Sequence, residues 1–279
     1  MITRKAFKLG ASVCVKAPPG SAFPIVDPDI YRSIDWLYDN DFDSIEIHIP
    51  SPDLVDAARL KEYIQSKGMC ASSIGTGLAA AYEHLTLTSR DRDIRRRAIE
   101  RLMRQCDLGA QLDCPVVIGS MRGMVEPEDT YAEVHGRMIE SVKRLMDYGD
   151  NLGVDVVVEA IDRSETNYIR TADEVLELIG LVGSSHLKVH LDTFHMNIEE
   201  LDWEKPVLAC GDKLGHVHVA DNTRLYPGSG MIDFMPFLRA LKKIGYDRSL
   251  VFEIYPGDDG YKSCILGRDY MMECFAKLD

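Results

Sequence analysis

The strongest constraint on this chain is a rhythm. Eight short apolar runs rich in β-branched residues, at 7–15, 44–49, 69–74, 115–119, 154–158, 187–191, 215–220 and 250–255, alternate with longer segments of helical spacing. Ile94, Ala98, Leu102 and Cys106 recur every four residues, and Val134, Met138, Val142, Leu145 and Met146 form a similar stripe before Gly149. Apolar residues so spaced line one helix face. Thr171-Ala-Asp-Glu174 reads as a capping box and Gly183 as the stop of the helix it opens. Strand–helix alternation predicts a parallel sheet covered by helices. Eight repeats in 279 residues predict an α/β chain closed into a (β/α)8 TIM barrel, one domain over residues 1–279. The competing doubly wound sheet needs a Gly-x-Gly-x-x-Gly turn after its first strand, and Gly75-Thr76-Gly77 lacks the third glycine.

Charge narrows the partners. With 32 Lys and Arg against 45 Asp and Glu the chain carries a formal −13. Phosphate backbones and anionic membrane surfaces are bound through Lys and Arg, so no nucleic-acid or membrane partner is expected. No apolar run approaches the about 18 residues of a membrane-spanning helix. Arg4, Lys5 and Lys8 precede an apolar stretch, but Lys16 and Pro18-Pro19-Gly20 interrupt it too early for a signal peptide. The seven cysteines are scattered without a C-x-x-C pair, which reads as reduced thiols in the cytoplasm.

In a barrel of this kind, chemistry gathers where strands pass into the following loops. The last four runs deliver a polar series there: Glu159 after Val156-Val157-Val158, Asp192 after His190-Leu191, His218 in His216-Val217-His218, and Glu253 after Val251-Phe252. Three carboxylates raise one another's pKa when they converge, and a divalent cation removes that cost. Three oxygens and one nitrogen suit Mn2+, with Mg2+ or Co2+ as alternatives. Taken singly, Asp192 reads as a helix N-cap and His190 and His216 as interior residues. The coincidence on four consecutive strands favours a metal centre built from Glu159, Asp192, His218 and Glu253.

The stretches Val158-Glu159-Ala160 through Glu165, Leu191-Asp-Thr-Phe-His-Met-Asn-Ile-Glu-Glu200, Gly215-His-Val-His218 with Asn222-Thr-Arg224, and Val251-Phe-Glu253 resemble the xylose-isomerase-like barrel superfamily. The resemblance is tightest to the D-tagatose and D-psicose (ketose) 3-epimerases. It implies a metal-dependent sugar isomerase or epimerase, acting on a small sugar through a cis-enediolate that the metal stabilises. Glu159 and Glu253 would be both metal ligands and the catalytic acid/base pair. Glu165, His195 and Arg224 match positions that hold substrate hydroxyls and the oxygens at C1 and C2. The resemblance further implies a homo-oligomer, dimer or tetramer.

The same first step, proton removal beside a carbonyl, serves an aldose–ketose isomerase, including sugar-phosphate and hydroxypyruvate types, or a β-eliminating lyase on an oxidised sugar. The superfamily's apurinic endonucleases need three metals and further histidines. Ser73 and Ser120 at the early strand ends, and Gly228-Ser-Gly-Met-Ile-Asp233 with no Asp-x-His, argue against that reading. A phosphorylated substrate would need an anion site from Arg122, Arg163 or Arg224; the first two read better as surface salt-bridge partners.

Overall fold

The computed structural model describes residues 6–278; Arg4 and Lys5 lie outside them. Each of the eight apolar runs forms a strand: β1 (Lys8–Cys14), β3 (Ser44–His48), β4 (Cys70–Gly75), β5 (Val116–Ile118), β6 (Val156–Glu159), β7 (Leu187–Asp192), β8 (Leu214–His218) and β9 (Ser249–Phe252). All pair in parallel in chain order. Lys8–Ala11 of β1 paired with Ser249–Phe252 of β9 closes the ring. The chain is thus a (β/α)8 TIM barrel. A two-residue strand, β2 (Ile25–Val26), lies beside β1 outside the ring, too short to show as a run in the sequence.

The outer layer comprises α1 (Ile30–Asp39), α2 (Ala57–Ser66), α3 (Gly77–Glu83), α4 (Arg92–Leu112), α5 (Tyr131–Leu152), α6 (Ala172–Val182), α7 (Thr193–Glu199), α8 (Lys205–Cys210), α9 (Phe234–Lys243) and α10 (Gly260–Phe275). The two stripes read from the sequence face the sheet: Ala98, Leu102 and Cys106 of α4, and Val134, Met138, Val142 and Leu145 of α5, are fully buried. Burying such side chains stabilises the fold by about 1.5–3 kcal/mol each. The capping box at α6 forms as expected, Glu174 N–H donating to Thr171 Oγ1 and Thr171 N–H to Glu174 Oε2, and Gly183 ends the helix at φ 83°. All seven cysteines are free thiols, six of them buried. Among the described residues no helix is long and apolar enough to cross a membrane.

The period of two along each strand sends alternate residues inward. On β3, Ile45 and Ile47 pack outward into the apolar core, whereas Glu46 and His48 hydrogen-bond to side chains inside the ring. The registers place His190 opposite His216 and Asp192 opposite His218. This gives the barrel a polar interior near its C-terminal mouth.

A candidate metal and acid/base centre

Glu159, Asp192, His218 and Glu253 converge. Each offers a ligand atom, and these atoms all lie within 4.8 Å of one another, so the cluster could hold a metal ion. Stiff strands set three of them: Glu159, Asp192 and His218 are the last residues of β6, β7 and β8, and Glu253 follows the last residue of β9. His218 Nδ1 lies 3.8 Å from Glu159 Oε1, 3.8 Å from Asp192 Oδ2 and 3.3 Å from Glu253 Oε2. Glu159 Oε1 and His218 Nδ1 are buried without a hydrogen-bond partner, and the buried Asp192 Oδ2 meets the Arg224 guanidinium. Buried polar atoms are rarely left without a partner, and these three face a common centre. The donor set and its orphaned atoms fit a divalent cation.

Asp192 is the N-cap that its sequence position suggests, and its second oxygen faces the cluster. Its Oδ1 accepts from Phe194 N–H at 2.8 Å and caps α7, while Oδ2 turns into the cluster. His190 and His216 are interior residues, as expected, at 0% and 1% exposure.

The two glutamates differ in proton affinity. Burial, reinforced by the charge of Glu253, pushes Glu159 up to about 7. Burial raises Glu253 as well, but His218 and Arg224 outweigh it and hold Glu253 at about 2.

Glu165, His195 and Arg224 border the same cleft, of about 400 Å³. His195, in the first turn of α7, has Nδ1 2.6 Å from Asp162 Oδ2. A carboxylate only accepts, so the proton sits on Nδ1, and Nε2 accepts from Arg224 Nη1 at 3.2 Å. Arg224 also pairs with Asp192 Oδ2 at 2.8 Å and with Glu253 Oε2. Its φ of 60° is a left-handed value that L residues adopt under constraint. The bonds of its N–H to Asp221 O and of its C=O to Tyr255 N–H hold it there. Glu165 is exposed on the loop after β6, and its carboxylate lies within 4.8 Å of ligand atoms of Asp162 and His195.

Three residues bearing on the site escape a reading of strand ends. Asp162 lies in a loop with no motif. Glu46 and His48 belong to an early strand that looks simply apolar, although their alternation with Ile45 and Ile47 is the signal that could have exposed them. Arg122 corrects an expectation. Arg163 does pair with Glu199 at the surface, at 2.7 Å. Arg122, in contrast, is 1% exposed and donates to the backbone carbonyls of Gly119, Ile169 and Glu159. Its partners are main-chain oxygens and not the nearby Glu126 or Glu128, so the residue types around it do not show them.

The fold and the polar barrel mouth define a known class. The family described as xylose isomerase-like TIM barrel matches residues 34–265, and this chain belongs to that family. Within it, the chain is 33% identical over 218 residues to the ketose 3-epimerase of Arthrobacter globiformis, covering 77% of this chain and 73% of that protein. It is 34% identical over 221 residues to the L-ribulose 3-epimerase of Methylomonas sp. (strain DH-1), covering 78% and 75% respectively. The crystal structure of the D-allulose 3-epimerase from Methylomonas sp. in complex with D-allulose superposes with a TM-score of 0.79 at 27% identity, over 97% of this chain and 98% of that one. Its curated relatives are carbohydrate epimerases, and the chain is an enzyme of that isomerase class.

Proposed function

We propose that the chain is a divalent-metal-dependent ketose 3-epimerase, with residues 1–279 acting as one catalytic unit in a cytoplasmic homo-oligomer. One observation carries the reading. Glu159 Oε1 and Asp192 Oδ2, from adjacent strands, are buried and each lies 3.8 Å from His218 Nδ1 on the next, and Glu159 Oε1 and His218 Nδ1 have no hydrogen-bond partner. Glu253 completes the set.

Mn2+ bound by Glu159, Asp192, His218 and Glu253 would act as a Lewis acid on the substrate's oxygens, an effect worth several kcal/mol; Mg2+ and Co2+ are the alternatives. The chain's residues do the rest. One of Glu159 and Glu253 takes the proton from C3, beside the ketone, and the C–H electron pair moves into an enediolate. The other returns a proton to the opposite face of C3, which inverts that centre. Each positioned carboxyl contributes about 10²–10⁴-fold. Arg224, fixed by its backbone bonds, and His195, fixed by Asp162, hold the oxygens on which negative charge develops. Glu165 accepts from a substrate hydroxyl at the rim of the cleft.

The test is turnover of a panel of free and phosphorylated ketoses by chelator-stripped and Mn2+-restored protein in D2O. Metal-dependent inversion with deuterium at C3 supports the reading. Deuterium at C1 or C2 of an aldose product identifies an aldose–ketose isomerase, and loss of water from the sugar identifies a lyase. Full activity after verified metal removal overturns metal dependence.

A further inference from the structure

We infer that Glu46 is a positioning residue for the metal centre: it holds the His218 imidazole by Nε2 and so aims Nδ1 into the cluster. The inference rests on the metal-binding reading of that cluster. It assigns a role to the half of the barrel that supplies none of the four ligands.

Glu46 lies on β3, across the ring from β8, and is 0% exposed. Five side-chain groups converge on it. Oε1 accepts from Ser12 Oγ at 2.8 Å and His48 Nε2 at 2.7 Å. Oε2 accepts from Ser73 Oγ, from His216 Nε2 at 2.8 Å and from His218 Nε2 at 2.9 Å. These groups come from β1, β3, β4 and β8, so one carboxylate cross-braces four strands beneath the cleft. A lone carboxylate inside a protein is costly, and burial does raise the Glu46 pKa. The surrounding imidazoles outweigh burial and keep Glu46 well below the usual carboxylate range.

The consequence for His218 follows from hydrogen-bond chemistry. A carboxylate can only accept, so the proton of His218 that meets Glu46 sits on Nε2. In the neutral ring the lone pair is then on Nδ1, the atom facing Glu159, Asp192 and Glu253. A carboxylate on the far nitrogen of a ligating imidazole also raises its basicity and fixes its plane, and losing such a partner typically costs 10–100-fold in metal affinity. Without Glu46 the His218 ring can rotate or take the other tautomer, which puts an N–H where a lone pair is needed.

The test is calorimetric titration of metal-stripped protein with Mn2+. Glu46→Gln keeps the side-chain shape but offers N–H2 to donors, and its Mn2+ affinity should fall about 10–100-fold. Against a His218→Ala background the same substitution should change affinity less than about twofold, because the residue through which Glu46 acts is gone. Glu46→Asp, which keeps the charge but withdraws the oxygens by one methylene, covers the case in which the amide variant does not fold; it should also weaken Mn2+ binding. The visible absorption of Co2+-loaded protein reads the coordination directly and should change in both variants. Wild-type Mn2+ affinity in the folded variants, or an equal loss with and without His218, overturns the inference. Wild-type protein that binds no divalent cation instead overturns the metal reading on which the inference rests.

Discussion

Asp162 Oδ2 lies 2.6 Å from His195 Nδ1, with both side chains buried at the edge of the cleft. This bond fixes which ring nitrogen of His195 faces Arg224. In Asp162→Asn the amide can donate to Nδ1, moving the imidazole proton to Nε2 and setting it against the Arg224 N–H. We expect kcat/KM to fall about 10²-fold, the scale of a misplaced positioning group, with Mn2+ affinity unchanged by calorimetry. A variant with wild-type turnover would show that the His195 tautomer does not matter.

The same substitution has a pH signature. Burial raises the Asp162 pKa, but hydrogen bonds from His195 and Ser164 outweigh it and hold the carboxyl below its usual range. A group lowered in the folded state stabilises above its unfolded value, about 3.9, and loses that contribution as pH falls through the folded value. The stability gap between wild type and Asp162→Asn should therefore be full at pH 6 and shrink below about pH 4. Urea unfolding at pH 6 and pH 3 measures it.

Gly75 and His48 are register partners on β4 and β3, and a Cβ on Gly75 would fall 2.0–2.5 Å from three atoms of the His48 ring. Gly75→Ala should cost about 1–3 kcal/mol through overpacking. His48→Ala vacates that space, so the double variant should be more stable than the two single losses summed, with a coupling of about 0.5–3 kcal/mol. Additive losses in chemical denaturation would refute the contact.

Arg122 should prove a stability residue. Its removal takes the guanidinium donors from the buried carbonyls of Gly119, Ile169 and Glu159, of which the first two keep a backbone N–H. Arg122→Met should cost about 1–3 kcal/mol, the scale of one orphaned buried carbonyl, that of Glu159. Lysine should not rescue it, because one ammonium lacks the guanidinium's spread of donors. Denaturation midpoints of the two variants settle the matter.

Metal loading should stabilise as well as activate. A cation present at 100 times its dissociation constant adds about 2.7 kcal/mol, or a Tm gain of about 5–10 °C for a chain of this size. Glu159→Gln and Glu253→Gln should each abolish turnover, keep the far-ultraviolet circular dichroism of wild type and lose most of that Tm gain. An equal gain in both variants would remove these residues from the ligand set.

The barrel was legible because its cause is local. Hydrophobic period, capping and β-branching are written residue by residue, and each of the eight runs became a strand with ends within about three residues of the reading. The four-residue cluster was legible for a related reason: the end of a parallel strand is a fixed place in a closed barrel, so Glu159, Asp192, His218 and Glu253 could be brought together before any coordinates. Asp162, Glu46 and Arg122 were not legible. Their partners lie 33, 172 and 47 residues away in His195, His218 and Ile169, and the alternation of Glu46 and His48 with Ile45 and Ile47 is the one local sign of any of them.

By itself the sequence determined the eight strands, their closure into one ring and the four residues where the last strands meet the barrel mouth, because these follow from periodicity and closure. Only the tertiary structure decided which ring nitrogen of His195 and of His218 carries the proton, why Gly75 must be glycine, and that Arg122 is a buried brace instead of a surface charge. Those are properties of pairs brought within hydrogen-bonding or van der Waals contact across the ring. Tautomers, close packing and the satisfaction of buried polar groups depend on such distances, which no single stretch of chain contains.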